Sequence, residues 1–228
     1  MTRSKIIRIT APFLAITVLG ACSSATRAVT PATAPQDPGH ESRPSHVAQA
    51  RADSIRHPYT AADIQFMSRM IGHHGQAITI ARWAPTHGAS ASVQTLAARI
   101  INAQQDEIAT MQQWLRDRLQ AVPHVHSAGM KMEMNGVEHV MAMPGMLTEA
   151  QLKQLDTARG PGFDRIFLSL MIRHHRGAVA MVKDLFESYG AAQDETVFRF
   201  ASDVNVDQST EIERMEKMLA ALPPKTQP

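Results

Sequence analysis

Two stretches of this 228-residue chain set paired imidazoles one turn after a thioether: Met70-Ile71-Gly72-His73-His74 and, 101 residues later, Met171-Ile172-Arg173-His174-His175. On a helix, successive residues turn by about 100°, so with Met70 at zero, His73 falls near −60°, His74 near +40°, and Ala77 and Ala81 close to zero. Both histidines then flank one apolar face, and the same holds for Met171, His174 and His175 between Phe167 and Ala178. Burying an imidazole is costly unless its nitrogens have partners. One such pair reads as a helix-end feature, but two copies in divergent repeats point to a metal ion as the partner.

The neighbouring residues select the metal. A carboxylate di-iron bundle carries Glu-x-x-His, whereas the residue three before each first histidine here is Met70 or Met171. Imidazole combined with thioether favours copper, Cu(I) above all with Cu(II) or Ag(I) as alternatives, over Mg, Ca or Fe(III). Met111 and Met215, four residues after Glu107 and Glu211, bring a further thioether and a carboxylate in the following stretch of each repeat. Methionine at helical spacing also serves as core filler, so both readings of these two stay open. The segment from His124 to Met146, HVHSAGMKMEMNGVEHVMAMPGM, holds six of the 14 methionines and three of the 11 histidines. Met130, Met132, Met134 and His139 lie in it, as do Met143 and Met146. A glycine-punctuated linker has little core to fill, which leaves a second soft-metal site, a lid over the helical one, or a loop packed on the bundle.

The elements that must position these residues follow from an internal duplication. DIQFMSRMIGHHGQAITIA from Asp63 aligns without a gap with DRIFLSLMIRHHRGAVAMV from Asp164, and QQDEIATMQQWL from Gln104 with QSTEIERMEKML from Gln208. Each half reads as a helical hairpin: about Thr60 to Trp83 and Ser90 to Leu119, then Phe163 to Tyr189 and Asp194 to Leu222. Thr148 and Gln151 stand at capping-box spacing for a short helix before Gly160. No strand is expected. Two hairpins, each apolar on one face, bury those faces best against each other, which predicts an all-α, four-helix bundle spanning 59–222, with halves 59–120 and 148–222 around linker 121–147.

Residues 1–21 carry Arg3, Lys5 and Arg8 ahead of a short apolar run ending in Leu-Gly-Ala before Cys22, the form of a lipoprotein signal. Cys22, the only cysteine, is the expected lipidation site and the membrane anchor, with Ser23 next to it favouring the outer membrane. Residues 22–58 read as a flexible Ala/Pro/Ser/Thr-rich tether. Removing the signal takes three of 23 basic residues and none of 21 acidic ones, leaving a net charge of about −1. With aromatics at 5%, nucleic-acid binding has no support.

At these motifs the chain resembles the domain-of-unknown-function 305 family, a ferritin-like helical-bundle group built around M-I-x-H-H-x-x-A and Q-x-x-E-I-x-x-M. The likeness runs from about Tyr59 to Leu222. Some relatives are secreted copper-binding proteins linked to copper tolerance, which the resemblance implies here. It also implies a further methionine six residues after the second histidine: Met181 matches, but Ile80 replaces it in the first half, so the halves need not be equivalent. MPGMLTEAQL resembles the inter-repeat segment of tandem members and supports Met143 and Met146.

The expectation is an envelope lipoprotein on the periplasmic side that binds copper for buffering, delivery or tolerance, not an enzyme, and that exchanges metal with a copper-exporting or copper-accepting envelope protein. A copper-dependent oxidoreductase and a metal-free structural or interaction domain remain as alternatives, and the oligomeric state is open. No blue-copper set is available once Cys22 carries lipid, and no Ser/His/Asp order or phosphate loop is present.

Overall fold

The computed structural model describes residues 45–56, 58–123, 131–134, 137–140 and 143–224, with the side chains of 50, 53–56 and both strands excepted. Residues 1–42 lie outside the described residues, which all belong to the unit spanning 43–228. Within the stretch read as tether, His46–Arg56 forms helix α1. This corrects that reading: Ala, Gln and Arg are good helix formers, and Ser45 Oγ accepts the Ala48 N–H at 3.2 Å as a first-turn cap.

The four long helices are α2 (Ala61–Ala81), α3 (Ala91–Asp117), α5 (Gly160–Glu187) and α6 (Glu195–Ala221), with short α4 (Glu149–Thr157) between the halves. Local chemistry sets their starts. Thr60 and Asp63 form a capping box on α2, as Thr148 and Gln151 do on α4; Ser90 caps α3, and Asp194 accepts from the Thr196 and Val197 amides on α6. Helix α5 begins at Gly160, three residues before the expected Phe163. Pro161 sits in its first turn, where a missing N–H loses nothing.

A short antiparallel hairpin, β1 (Lys131–Met134) with β2 (Val137–Val140), lies in the linker and sets Met132 opposite His139. It corrects the expectation of no strand. Lys-Met-Glu-Met and Val-Glu-His-Val around Asn135-Gly136 form a hairpin signal that the density of metal-binding residue types obscured.

The two hairpins pack chiefly through α2 and α5, which run antiparallel. Phe66, Met67, Met70 and Ile71 from the first half of α2 share one apolar cluster with Ala178, Met181, Val182 and Leu185 from the last half of α5. Ala77, Ile80 and Ala81 share a second cluster with Phe163, Phe167, Leu168 and Met171. The duplicated aspartates pin this arrangement across the pseudo-dyad. Asp63 Oδ1 accepts the Ala192 N–H in the α5–α6 turn at 2.7 Å, and Asp164 accepts the Ser90 N–H in the α2–α3 turn at 3.1 Å. Each half's first helix thus satisfies an amide in the other half's turn.

Candidate metal centre

Between the two apolar clusters every long helix changes character. On α2 the interruption is His73, His74 and Gln76; on α3, Gln104 and Glu107; on α5, His174 and His175; on α6, Gln208 and Glu211. These residues form one polar layer across the middle of the bundle. All four histidines are fully buried, as the helical-wheel argument requires.

At the centre of the layer His73 and His174 face each other, ring centroids 3.8 Å apart and planes 40° apart. His73 Nε2 lies 3.0 Å from the Pro144 carbonyl, which can only accept, so Nε2 carries the proton and Nδ1 presents a lone pair. That Nδ1 has no hydrogen-bond partner, and neither ring nitrogen of His174 has one. His175 Nε2 is hydrogen-bonded to Glu211 Oε2 at 2.7 Å, again leaving Nδ1 unpartnered. His74 Nε2 lies 2.6 Å from Glu107 Oε2, yet the contact lacks hydrogen-bond geometry, so the repeated pair is better formed in the second half. The buried His87 differs: Thr86 Oγ1 and Asp156 occupy both its nitrogens. Both nitrogens of this buried imidazole are therefore satisfied, unlike those of His73 and His174.

Burial, then the neighbouring His74, drives the His73 pKa down to about 3, although the Pro144 hydrogen bond works against this. Burial followed by His73, His175 and His74 holds His174 well below its ordinary value. Both rings are neutral at pH 7, the form that binds metal.

The inter-repeat segment closes the layer on one side. Gln76 makes a two-way bond with Leu147, donating to its carbonyl at 3.1 Å and accepting its N–H at 2.8 Å. At Gly177 a Cβ would stand 2.0 Å from the Pro144 oxygen, and at Gly145, with φ +77°, it would meet the His174 oxygen at 2.8 Å. Glycine at both positions lets the two backbones touch. Neither of two surface cavities, one of about 90 Å³ beside Arg69 and Met181 and one of about 490 Å³ beside Trp114 and Arg118, is lined by a histidine.

Met70, Met111, Met171 and Met215 are fully buried; the first two lie in the cluster on one side of the layer, the last two on the other. Met181 and Met143 join Met70 and Met111, and Met146 packs against the same cluster. Ile80, the counterpart of Met181, lies with Met171 and Met215. The thioethers are thus gathered unevenly, and each also fills core. Met132, Met134 and His139 are described in backbone only, while Met130 and Cys22 lie outside the described residues. Among the described residues no three His, Cys, Asp or Glu side chains stand as a ready-made cation cage. Sequence reasoning left out Gln76, Gln104, Gln208 and Pro144 and gave Glu107 and Glu211 only a passing place; the repeated Gln-x-x-Glu was the signal for four of these six.

The model of the family described as domain of unknown function (DUF305) matches residues 63–219, which takes in all four helices of the bundle. The chain belongs to this family. A crystallised DUF305 fragment from Deinococcus radiodurans is 31% identical, with a TM-score of 0.60 over 72% of this chain and 99% of that one. A DUF305 protein from Streptomyces coelicolor, described as secreted, is 33% identical, with a TM-score of 0.57 over 70% and 92%. CopM in its Cu(I)-bound form is 28% identical, with a TM-score of 0.52 over 69% and 95%, and CopM has also been solved with Cu(II) and with silver. No curated protein sequence matches the chain. The family is all-helical and ferritin-like, in agreement with the fold expected from the repeats.

Proposed function

We propose that this DUF305 protein binds copper, Cu(I) in preference to Cu(II) and with Ag(I) as a chemical analogue, through the buried histidines and the methionines that flank them. The observation that carries the reading is the pair His73 and His174, fully buried with ring centroids 3.8 Å apart and with three of their four ring nitrogens unpartnered. Leaving such groups unsatisfied costs about 1–3 kcal/mol each, a penalty that metal coordination removes. Glu211 on His175 Nε2 follows the carboxylate–histidine pattern that fixes a ligating ring and raises its basicity. The copper- and silver-bound forms of CopM support the same reading.

The protein acts by binding, as a buffer or delivery protein outside the cytoplasm, anchored through lipid on Cys22 and passing copper to an envelope partner. The lipoprotein signal supports the anchor, and the relative described as secreted supports the location. No helix among the described residues is long and apolar enough to cross a membrane. The deciding experiment is metal analysis of the purified protein with anaerobic Cu(I) titration. Stoichiometric uptake that is lost when all four histidines are replaced supports the reading. A protein that takes up neither Cu(I) nor Ag(I) sinks it.

A further inference from the structure

The histidine layer has two sides, and they differ. On one, the segment from Pro144 to Leu147 is fastened down by Gln76 and by the Gly145–Gly177 contact. On the other, Glu107 and Glu211 reach from the buried rings to water: each carboxylate lies within 2.7 Å of a fully buried imidazole, yet their side chains are 17% and 21% exposed. These are the groups through which the layer meets solvent between α3 and α6.

A second carboxylate pair stands at the same place. Asp207 is one turn before Glu211 on α6, Asp203 one turn before that, and both are exposed. Partial burial, then Glu107, Asp203 and Glu211, pushes the Asp207 carboxyl above its ordinary range, as expected where like charges crowd together. The pair belongs to the second repeat alone: at the matching positions of α3 stand Arg99 and Ala103. Arg199, one turn before Asp203, is engaged by Glu195. One turn before Glu107 on α3 and Glu211 on α6 the chain carries buried polar groups without partners. Gln104, 2% exposed, has both amide atoms unpaired, Gln208 has its Oε1 unpaired, and His74 directs Nε2 at Glu107 without a hydrogen bond. Acidic charge at the surface, a carboxylate contact inward, and the unpaired Oε1 acceptors of Gln104 and Gln208 on the same two helices are what a graded path for a cation requires.

We propose that Asp203 and Asp207, with Glu107 and Glu211, form the mouth by which soft monovalent cations reach the buried histidines, while the 144–147 segment keeps the opposite side shut. This rests on the copper reading of the same layer. The two aspartates act as an electrostatic funnel and not as ligands, so they set the rate of capture.

The test is rapid mixing of the full-length protein with silver nitrate in nitrate buffers of graded ionic strength, stopped with excess thiosulfate, with protein-bound silver then measured. Replacing both aspartates (Asp203→Asn with Asp207→Asn) should slow uptake roughly 3- to 10-fold at low ionic strength and flatten its salt dependence. Asp207→Lys should slow it further, and removing two acids elsewhere (Glu149→Gln with Glu187→Gln) should leave the salt slope as in the native chain. Circular dichroism of each variant checks that these exposed substitutions keep the fold. Native rates and native salt slope in the double Asn variant would overturn the inference and leave the copper reading intact. So would uptake that ignores the aspartates but accelerates when Gln76→Leu unfastens the segment, since that puts access on the other side. Absence of silver uptake by the native chain overturns both.

Discussion

His73 and His174, from the two repeats, lie with ring centroids 3.8 Å apart and planes tilted by 40° across the pseudo-dyad where α2 crosses α5, and the rings of both are sealed from water. Two imidazoles in that position cannot both carry protons without repulsion in a desolvated site. Their neutrality is therefore built into the fold, and acid acts on the fold itself.

The pKa of His73 is about 3 in the folded state against 6.5 ordinarily, and that of His174 is lowered in the same direction. Below pH 6.5 the unfolded chain binds more protons than the folded one, so stability that is present above pH 6.5 is lost as pH falls towards 3. For His73 alone the loss between pH 6.5 and pH 5 is roughly 2 kcal/mol. Urea unfolding of the metal-free protein across this window should show it, and His73→Leu with His174→Leu should flatten the dependence. A native protein equally stable at pH 5 and pH 7 would contradict the burial argument.

The 144–147 segment offers a purely steric test. A Cβ at Gly177 would stand 2.0 Å from the Pro144 oxygen and 2.4 Å from its carbonyl carbon, both backbone atoms that cannot rotate away. Gly177→Ala should cost about 1–3 kcal/mol or lift the segment off α5, visible as faster exchange of the Leu147 amide. Gly162→Ala, with nothing within 4 Å of the added carbon, should be neutral or stabilising by up to about 1 kcal/mol. Equal melting temperatures for the two variants would show that the segment does not rest where it is described.

The sequence made the bundle and the burial of the histidines legible because both follow from periodicity, and a gapless repeat doubles every periodic signal. The antiparallel crossing of α2 on α5 was less accessible. It depends on Asp63 reaching the Ala192 amide and Asp164 reaching the Ser90 amide, bonds across 129 and 74 residues that no local pattern announces. The place of Pro144 over His73 was hidden for the same reason. The helix at His46–Arg56 was overlooked because it has no apolar face to reveal it, only residues of good helical propensity. The six linker methionines drew attention by count, yet Met143 and Met146 owe their place beside Met70 and Met181 to the backbone contact at Gly177.

Membrane attachment is tested separately, because Cys22 lies outside the described residues. If the thiol after Leu-Gly-Ala is acylated, Cys22→Ala should move the protein from the membrane fraction to the soluble one, and metabolic labelling with a palmitate analogue should disappear. A Cys22→Ala protein as firmly membrane-bound as the parent would show that the attachment lies elsewhere.

The choice of metal is tested on the methionines. Met70 and Met171 are fully buried on opposite sides of the histidine layer, each one turn from its His pair. Replacing both by Leu keeps volume and apolarity, so stability should change by less than about 1.5 kcal/mol per site. The soft donor is lost all the same. Cu(I) and Ag(I) affinity should fall at least about tenfold more than Cu(II) or Zn(II) affinity, which imidazole nitrogens sustain alone. The uneven placing of thioethers sharpens the expectation. Met70 shares its cluster with Met111, Met143 and Met181, so other sulfurs stand in the same cluster when it is lost, whereas Met171 shares its cluster with Met215 and Ile80. Met171→Leu alone should therefore weaken Cu(I) binding more than Met70→Leu alone, as read by competition with a Cu(I) chelator. Equal losses for all four ions in the double variant would mean that both methionines serve only as core, and the preference for Cu(I) would have to come from elsewhere in the chain.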